Sequence, residues 1–202
     1  MINKEQLQDL YKQGVITFTD AQLSNAQLPA ATKTWLEENG LPAASKEIAL
    51  GIHLPGSLQE FRANGKIYWQ IGYEWEHVSI IVLEERSGAV FSIHTEKGTP
   101  PVFINTDLPA FLTFLQYYKQ YQERKSAVDL PVATYSRDEM LKRLQEMKNR
   151  TAAPPAPRKE KFDQKREFKA MKQFFKQNDA AAIQDENNWW SIILEQVEDD
   201  LL

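Results

Sequence analysis

The chain has 202 residues, of which 42% are hydrophobic and 11% aromatic, enough to bury one substantial core with appendages. It holds no cysteine, which excludes disulfide staples, thiolate nucleophiles and cysteine zinc sites and fits a reducing cytoplasm. The formal charge of −4 hides a polarised end: Arg158 to Lys176 carries eight Lys/Arg against three Asp/Glu, and Asn178 to Leu202 carries seven acids and no base.

Taken in order, Met1 to Gln6 shows no basic region followed by an apolar run, and no later stretch is apolar for long enough to cross a bilayer. The expectation is a cytoplasmic chain without a standard export signal. Gln6, Leu7, Leu10 and Tyr11 outline a short first helix that stops near Gly14. A second helix runs from Pro29 to Asn39, with Thr32, Trp35 and Leu36 on one side and Gly40 where a left-handed cap belongs. Gly40-Leu41-Pro42 then turns the chain out. Glu47 to Leu54 reads as a strand in which Gly51 marks a bulge or a close backbone approach. Leu58 to Arg62 reads as another, and Asn64-Gly65 is a strong hairpin turn into the next.

From Lys66 to Tyr73, Ile67, Trp69, Ile71 and Tyr73 alternate as one buried face of a sheet requires. Val78 to Leu83 and Ala89 to Ile93 follow as further strands. A three-residue loop at Arg86-Ser87-Gly88 sets Leu83 opposite Phe91, Ile81 opposite Ile93 and His94 opposite Ile80. A similar loop at Glu74-Trp75-Glu76 sets Trp69 opposite Ile81 and Ile67 opposite Leu83. Both registers bury one face, as a meander should. Val102 to Ile104 is the last strand, entered through Pro100-Pro101.

Asn105, Thr106 or Asp107 caps the next helix, with Pro109 in its first turn and Leu108, Phe111, Leu112, Leu115 and Tyr118 forming a stripe that lies across the sheet. Ser136 with Glu139 makes a capping box for a helix to Asn149, with Met140, Leu141, Leu144 and Met147 turned inward. The organisation is therefore an α+β core over residues 1–125, a helix over 126–150, a proline-rich linker over 151–157, and a C-terminal region over 158–202. That region holds a basic helix and a last helix on which Trp190, Ile193, Leu194, Val197 and Leu201 align to dock on the core, with one indole of Trp189-Trp190 inside and the other along the surface. The basic segment reads as a solvated face balanced by the acidic end. A sharper reading has 158–176 tracking phosphates.

No Gly-rich phosphate loop, nucleophile elbow or histidine pair with metal spacing occurs, so no cofactor, metal or catalytic residue is assigned. His53, His77 and His94 lie on separate strands or edges, and His94 reads as a half-buried strand residue. Glu74-Trp75-Glu76, with Glu84-Glu85 at the following turn, is the one suggestive constellation. An indole at a hairpin tip between acids suits an interface anchor with charges that steer a basic partner. The plainer reading has Trp75 folded back onto the domain and the acids solvated.

The order of these signals resembles the SUKH superfamily, in particular its fourth immunity-protein subgroup. The matching pieces are Trp35-Leu36-Glu37-Glu38-Asn39-Gly40-Leu41-Pro42, Tyr68-Trp69-Gln70-Ile71-Gly72, Ser87-Gly88-Ala89-Val90, and Val102 through Leu112. Trp189 or Trp190, Ile193-Leu194-Glu195 and Leu201-Leu202 close the set. The resemblance covers Ala30 to Gln122 and the last turns, with a longer and more basic stretch between. It implies an α+β domain with a central, mostly antiparallel sheet flanked by helices, acting as a non-catalytic cytoplasmic immunity protein that neutralises a cognate toxin, often a nuclease. It carries no catalytic or partner-binding residues over. The contact set Glu74, Trp75, Glu76, Glu84 and Glu85 comes from the residues alone. The alternatives are an adaptor whose 158–176 segment meets nucleic acid or an acidic partner, and a hydrolase with an unfamiliar carboxylate site.

Overall fold

A computed structural model describes residues 2–10, 14–43, 48–75, 78–96, 98–127, 136–149 and 162–202. The architecture is α+β: a curled antiparallel sheet with helices before and after it in the chain. Helix α1 (Lys4–Leu10), strand β1 (Val15–Ile16), helices α2 (Asp20–Leu23) and α3 (Ala30–Glu38) and strand β2 (Leu41–Pro42) form the N-terminal part, in which β1 and β2 pair. Gly40, at φ +75, follows α3 as its composition suggested. Thr19 and Gln22 form a reciprocal capping box that starts α2, an element the periodicity did not reveal. Tyr11 lies outside the described residues.

The main sheet contains β3 (Ile52–His53), β4 (Gln59–Ala63), β5 (Lys66–Glu74), β6 (Ser79–Glu84), β7 (Val90–His94) and β8 (Val102–Asn105). Its order is β3-β5-β6-β7-β8, and β4 shares with β3 the free edge of β5. The expected strand over Glu47 to Leu54 is shorter than its composition suggests. Glu47 lies outside the described residues, and Ile48 to Ile52 is a tight turn closed by Ile52 N donating to Ala49 O at 2.9 Å. Asn64-Gly65 makes the two-residue turn as expected, with Ala63 paired to Lys66.

Both predicted registers need correction. Leu83 pairs with Val90, Ile80 with Ile93 and Ser79 with His94, because the β6–β7 loop holds four residues, 85–88, and is closed by Gly88 N donating to Glu84 O at 2.8 Å. Trp69 pairs with Leu83, two places from the expected partner, so the same face stays buried. Past Gln70 a bulge changes that: Gln70 pairs with Val82 and Gly72 with Ile81, leaving Ile71 as the extra residue.

One sheet face carries Trp69, Ile81, Leu83, Val90 and Ile104 against the helices; the other holds a smaller cluster of Tyr68, Ile80, Val82 and Ile93. Helix α4 (Leu108–Ser126) is capped by Asp107, whose carboxylate accepts from Ala110 N at 2.8 Å, and it buries Phe111, Leu112, Phe114, Leu115 and Tyr118 completely. Each such side chain contributes roughly 1.5–3 kcal/mol of transfer free energy.

The C-terminal helices α6 (Gln164–Asn178) and α7 (Trp189–Glu198) enter this same core. Phe175 stacks on Phe114 at 3.9 Å between centroids, and Trp190 meets both edge-on. A buried polar chain locks them: Trp190 Nε1 donates to Asn105 Oδ1 at 2.9 Å, and Asn105 Nδ2 and Thr106 N donate to Asp179 Oδ2 at 3.0 and 2.8 Å. Two expectations fail here. Both indoles are buried, Trp189 included, and Leu201 is 72% exposed beyond the end of α7.

Helix α5 (Arg137–Lys148) starts at the predicted box, where Ser136 N donates to Glu139 Oε2 and Glu139 N to Ser136 Oγ. Its apolar side does not turn inward: Met140, Leu141 and Leu144 are each more than half exposed. Capping and periodicity dictate that a helix forms, but docking depends on contacts distant in the chain. The Met147 side chain, the 151–157 linker and the start of the basic segment lie outside the described residues.

Candidate functional site

Strict alternation along β5 would put Tyr73 on the core face and Glu74 on the other. The bulge reverses this. Tyr73 turns out, paired with His53 and stacked on its ring at 5.0 Å, while Glu74, paired with Ser79, turns toward the helices. Glycine is required at the pivot, since a Cβ on Gly72 would lie 2.3 Å from the His53 carbonyl oxygen.

The Glu74 carboxylate meets three neutral donors. Trp189 Nε1 donates to Oε1 at 3.1 Å and to Oε2 at 3.3 Å, and Ser92 Oγ donates to Oε2 at 3.3 Å. The Trp75 indole also reaches it. Burial pushes the Glu74 carboxyl above the usual range, and these hydrogen bonds offset that only in part. No lysine or arginine among the described residues forms an ion pair with it.

Trp75 folds back and yet stays 58% exposed. Its backbone takes φ +48, its N donates to Gly51 O at 3.0 Å, and one ring face lies so close over Gly51 that a Cβ there would sit 2.6 Å from ring carbons. Leu50, beside it, also has a positive φ, +54. Such backbone costs about 1–3 kcal/mol at a non-glycine residue and concentrates at functional sites. Both residues line one cavity of about 380 Å³, with Glu74 and Trp189 in its wall and His94 and Ile192 alongside. Trp75, Val78 and Ile192 are exposed apolar side chains at this end of the sheet.

The other predicted contacts are not gathered here. Glu76 lies outside the described residues, as does His77. Glu84 and Glu85 sit at the opposite end of β6, about 17 Å away at the rise of an extended strand. Glu84 forms an ion pair with Lys66 and accepts from Ser87 Oγ at 2.6 Å, and these contacts, the Lys66 bond first, hold its carboxyl below the usual range. Glu85 Oε1 accepts from Trp69 Nε1 at 3.3 Å and from Gln27 N at 3.4 Å, joining the sheet to the N-terminal segment.

Reading the residues in order missed Trp189, Ser92 and His94 as cavity partners. The only available signal was the lone glycine in β5, a mark of a bulge. On α6, Lys165, Lys169, Lys172 and Lys176 are exposed, and Lys172 shares a shallow depression with Glu195 and Glu198 of α7. No helix among the described residues is long and apolar enough to cross a membrane.

The family model described as SUKH-4 immunity protein matches residues 2–196. No curated protein and no solved structure matches the chain.

Proposed function

Because the chain belongs to the SUKH-4 immunity protein family, we propose that it neutralises a cognate toxin, a nuclease by preference, by forming a stoichiometric complex that occludes the toxin's active cleft without turnover. The contact end is that of Glu74 and Trp75. The observation that supports it is the exposed, backbone-fixed Trp75 beside a half-buried carboxylate that pairs with no cation among the described residues. An indole held rigid before binding loses little entropy on docking, and aromatic anchors of this kind dominate interface energetics. The net charge of −4 speeds encounter with a basic nuclease, whose cleft would meet carboxylates in place of the phosphates of its nucleic-acid substrate. Glu76 belongs to the same contact set by sequence adjacency, whereas Glu84 and Glu85 contribute only to the long-range field.

The adaptor reading through 158–176 is less well supported, since Glu195 and Glu198 accompany Lys172. The test is to co-express the chain with candidate toxins from neighbouring genes and to isolate the complex. Protection of the cell together with one-to-one recovery supports immunity. Recovery of nucleic acid at low salt, lost on deleting 158–176, would replace it with the adaptor.

A further inference from the structure

We propose that the cavity between Trp75 and Trp189 receives one arginine side chain of the partner protein, its guanidinium set against Glu74 and stacked on the free face of Trp75. The inference rests on the immunity reading and adds the chemistry that the partner must present.

Three features support it. Neutral donors satisfy part of the carboxylate's hydrogen-bonding capacity, no cation among the described residues forms an ion pair with it, and a half-buried charge is stabilised most by a cation brought to it. His94, also in the wall, is engaged elsewhere through its Nδ1, which accepts from Glu96 N at 3.1 Å, and it forms no ion pair with Glu74. Size also matters, because about 380 Å³ lies near the lower end of the ~300–1,000 Å³ span of ligand pockets and suits a single side chain better than a segment of chain. Arginine fits better than lysine. Its planar group is more weakly hydrated and stacks on indole, and Trp75 offers one ring face to solvent while Gly51 supports the other.

The geometry also separates this site from an ordinary acidic turn. Two residues in the left-handed region, Leu50 and Trp75, line the cavity, and the bulge at Ile71 turns Glu74 to the face where it meets them.

The test uses the full chain and N-acetyl-arginine amide, with the lysine amide and the neutral isostere citrulline amide as controls. The indole N–H signals are followed by ¹H–¹⁵N spectroscopy and assigned with Trp75→Phe and Trp189→Phe. The Trp75 and Trp189 signals should shift and saturate at millimolar arginine probe, shift less with lysine and stay in place with citrulline. Glu74→Gln should abolish the response, and it should weaken toxin binding at least about tenfold. Equal shifts with citrulline, no shift in the wild-type chain, or unchanged toxin affinity in Glu74→Gln would each overturn the inference and leave immunity standing. A wild-type chain that captures arginine in this way but binds no toxin would overturn the immunity reading instead.

Discussion

The two ends of β6 carry acidic turns of similar composition and opposite physical character. At one end Glu84 is bound to Lys66 and Ser87 and its carboxyl is held below the usual range. At the other, Glu74 is half-buried among neutral donors and the pKa of its carboxyl is raised. An acid whose charge is favoured by folding needs no explanation beyond the fold. One whose charge opposes folding, set in a cavity beside an exposed aromatic ring, marks a candidate site. Sequence position alone does not separate them.

The largest effect is expected at Gly72, the pivot that turns Glu74 inward. Gly72→Ala forces a Cβ against the His53 carbonyl, so the bulge must shift; we expect a loss of roughly 1–3 kcal/mol in denaturant melts together with loss of toxin binding. Next is Trp75→Ala, which should leave the melt near wild type and weaken the complex by about 2 kcal/mol or more in calorimetric titration. A melt that collapses with this change would make Trp75 a core residue rather than a contact.

The pH dependence of stability sharpens the contrast because its sign differs at the two ends. Glu74 has a folded pKa above its unfolded value, so its ionisation opposes folding once the pH exceeds the ordinary carboxylate range. Glu74→Gln should therefore be more stable than wild type at neutral pH, and the gap should close as pH falls and Glu74 takes up its proton. His94 lines the same cavity as Glu74, so the comparison is made between variants that both keep it. Glu84, with a lowered pKa, supplies stability that is present above the unfolded pKa and lost as pH falls through the folded one. Glu84→Gln should be the less stable protein at neutral pH and should converge with wild type only in stronger acid. Identical pH profiles for the two variants would contradict the distinction. The smallest effect expected is on binding by Glu84→Gln and Glu85→Gln, at most about threefold in affinity and confined to low salt, as for rim charges that act through steering.

Much of the sheet was legible because the alternation from Ile67 to Ile71, ahead of the turned Tyr73, and the Asn64-Gly65 turn are local signals. Helix α4 was legible for the same reason, through the Asp107 cap and a wide apolar stripe. The register was not, since a four-residue loop and a one-residue bulge leave the apolar pattern almost unchanged. That bulge hid the site: Glu74 and Trp75 were visible as an acidic, aromatic turn, but alternation pointed Glu74 away from the core. Its partners Trp189 and Ser92 lie 115 and 18 residues along the chain, where only the folded backbone brings them together. Helix α5 shows the converse, a helix readable from its capping box whose apolar side, read as inward, is exposed.

The measurement that bears most directly on this account is calorimetric titration of the cognate toxin with wild type, Glu74→Gln and Glu84→Gln side by side. The expected result is a one-to-one complex that Glu74→Gln weakens at least about tenfold and Glu84→Gln leaves nearly intact. Equal affinities for all three, or a larger loss at Glu84, would contradict the placement of the partner at the Glu74 and Trp75 end.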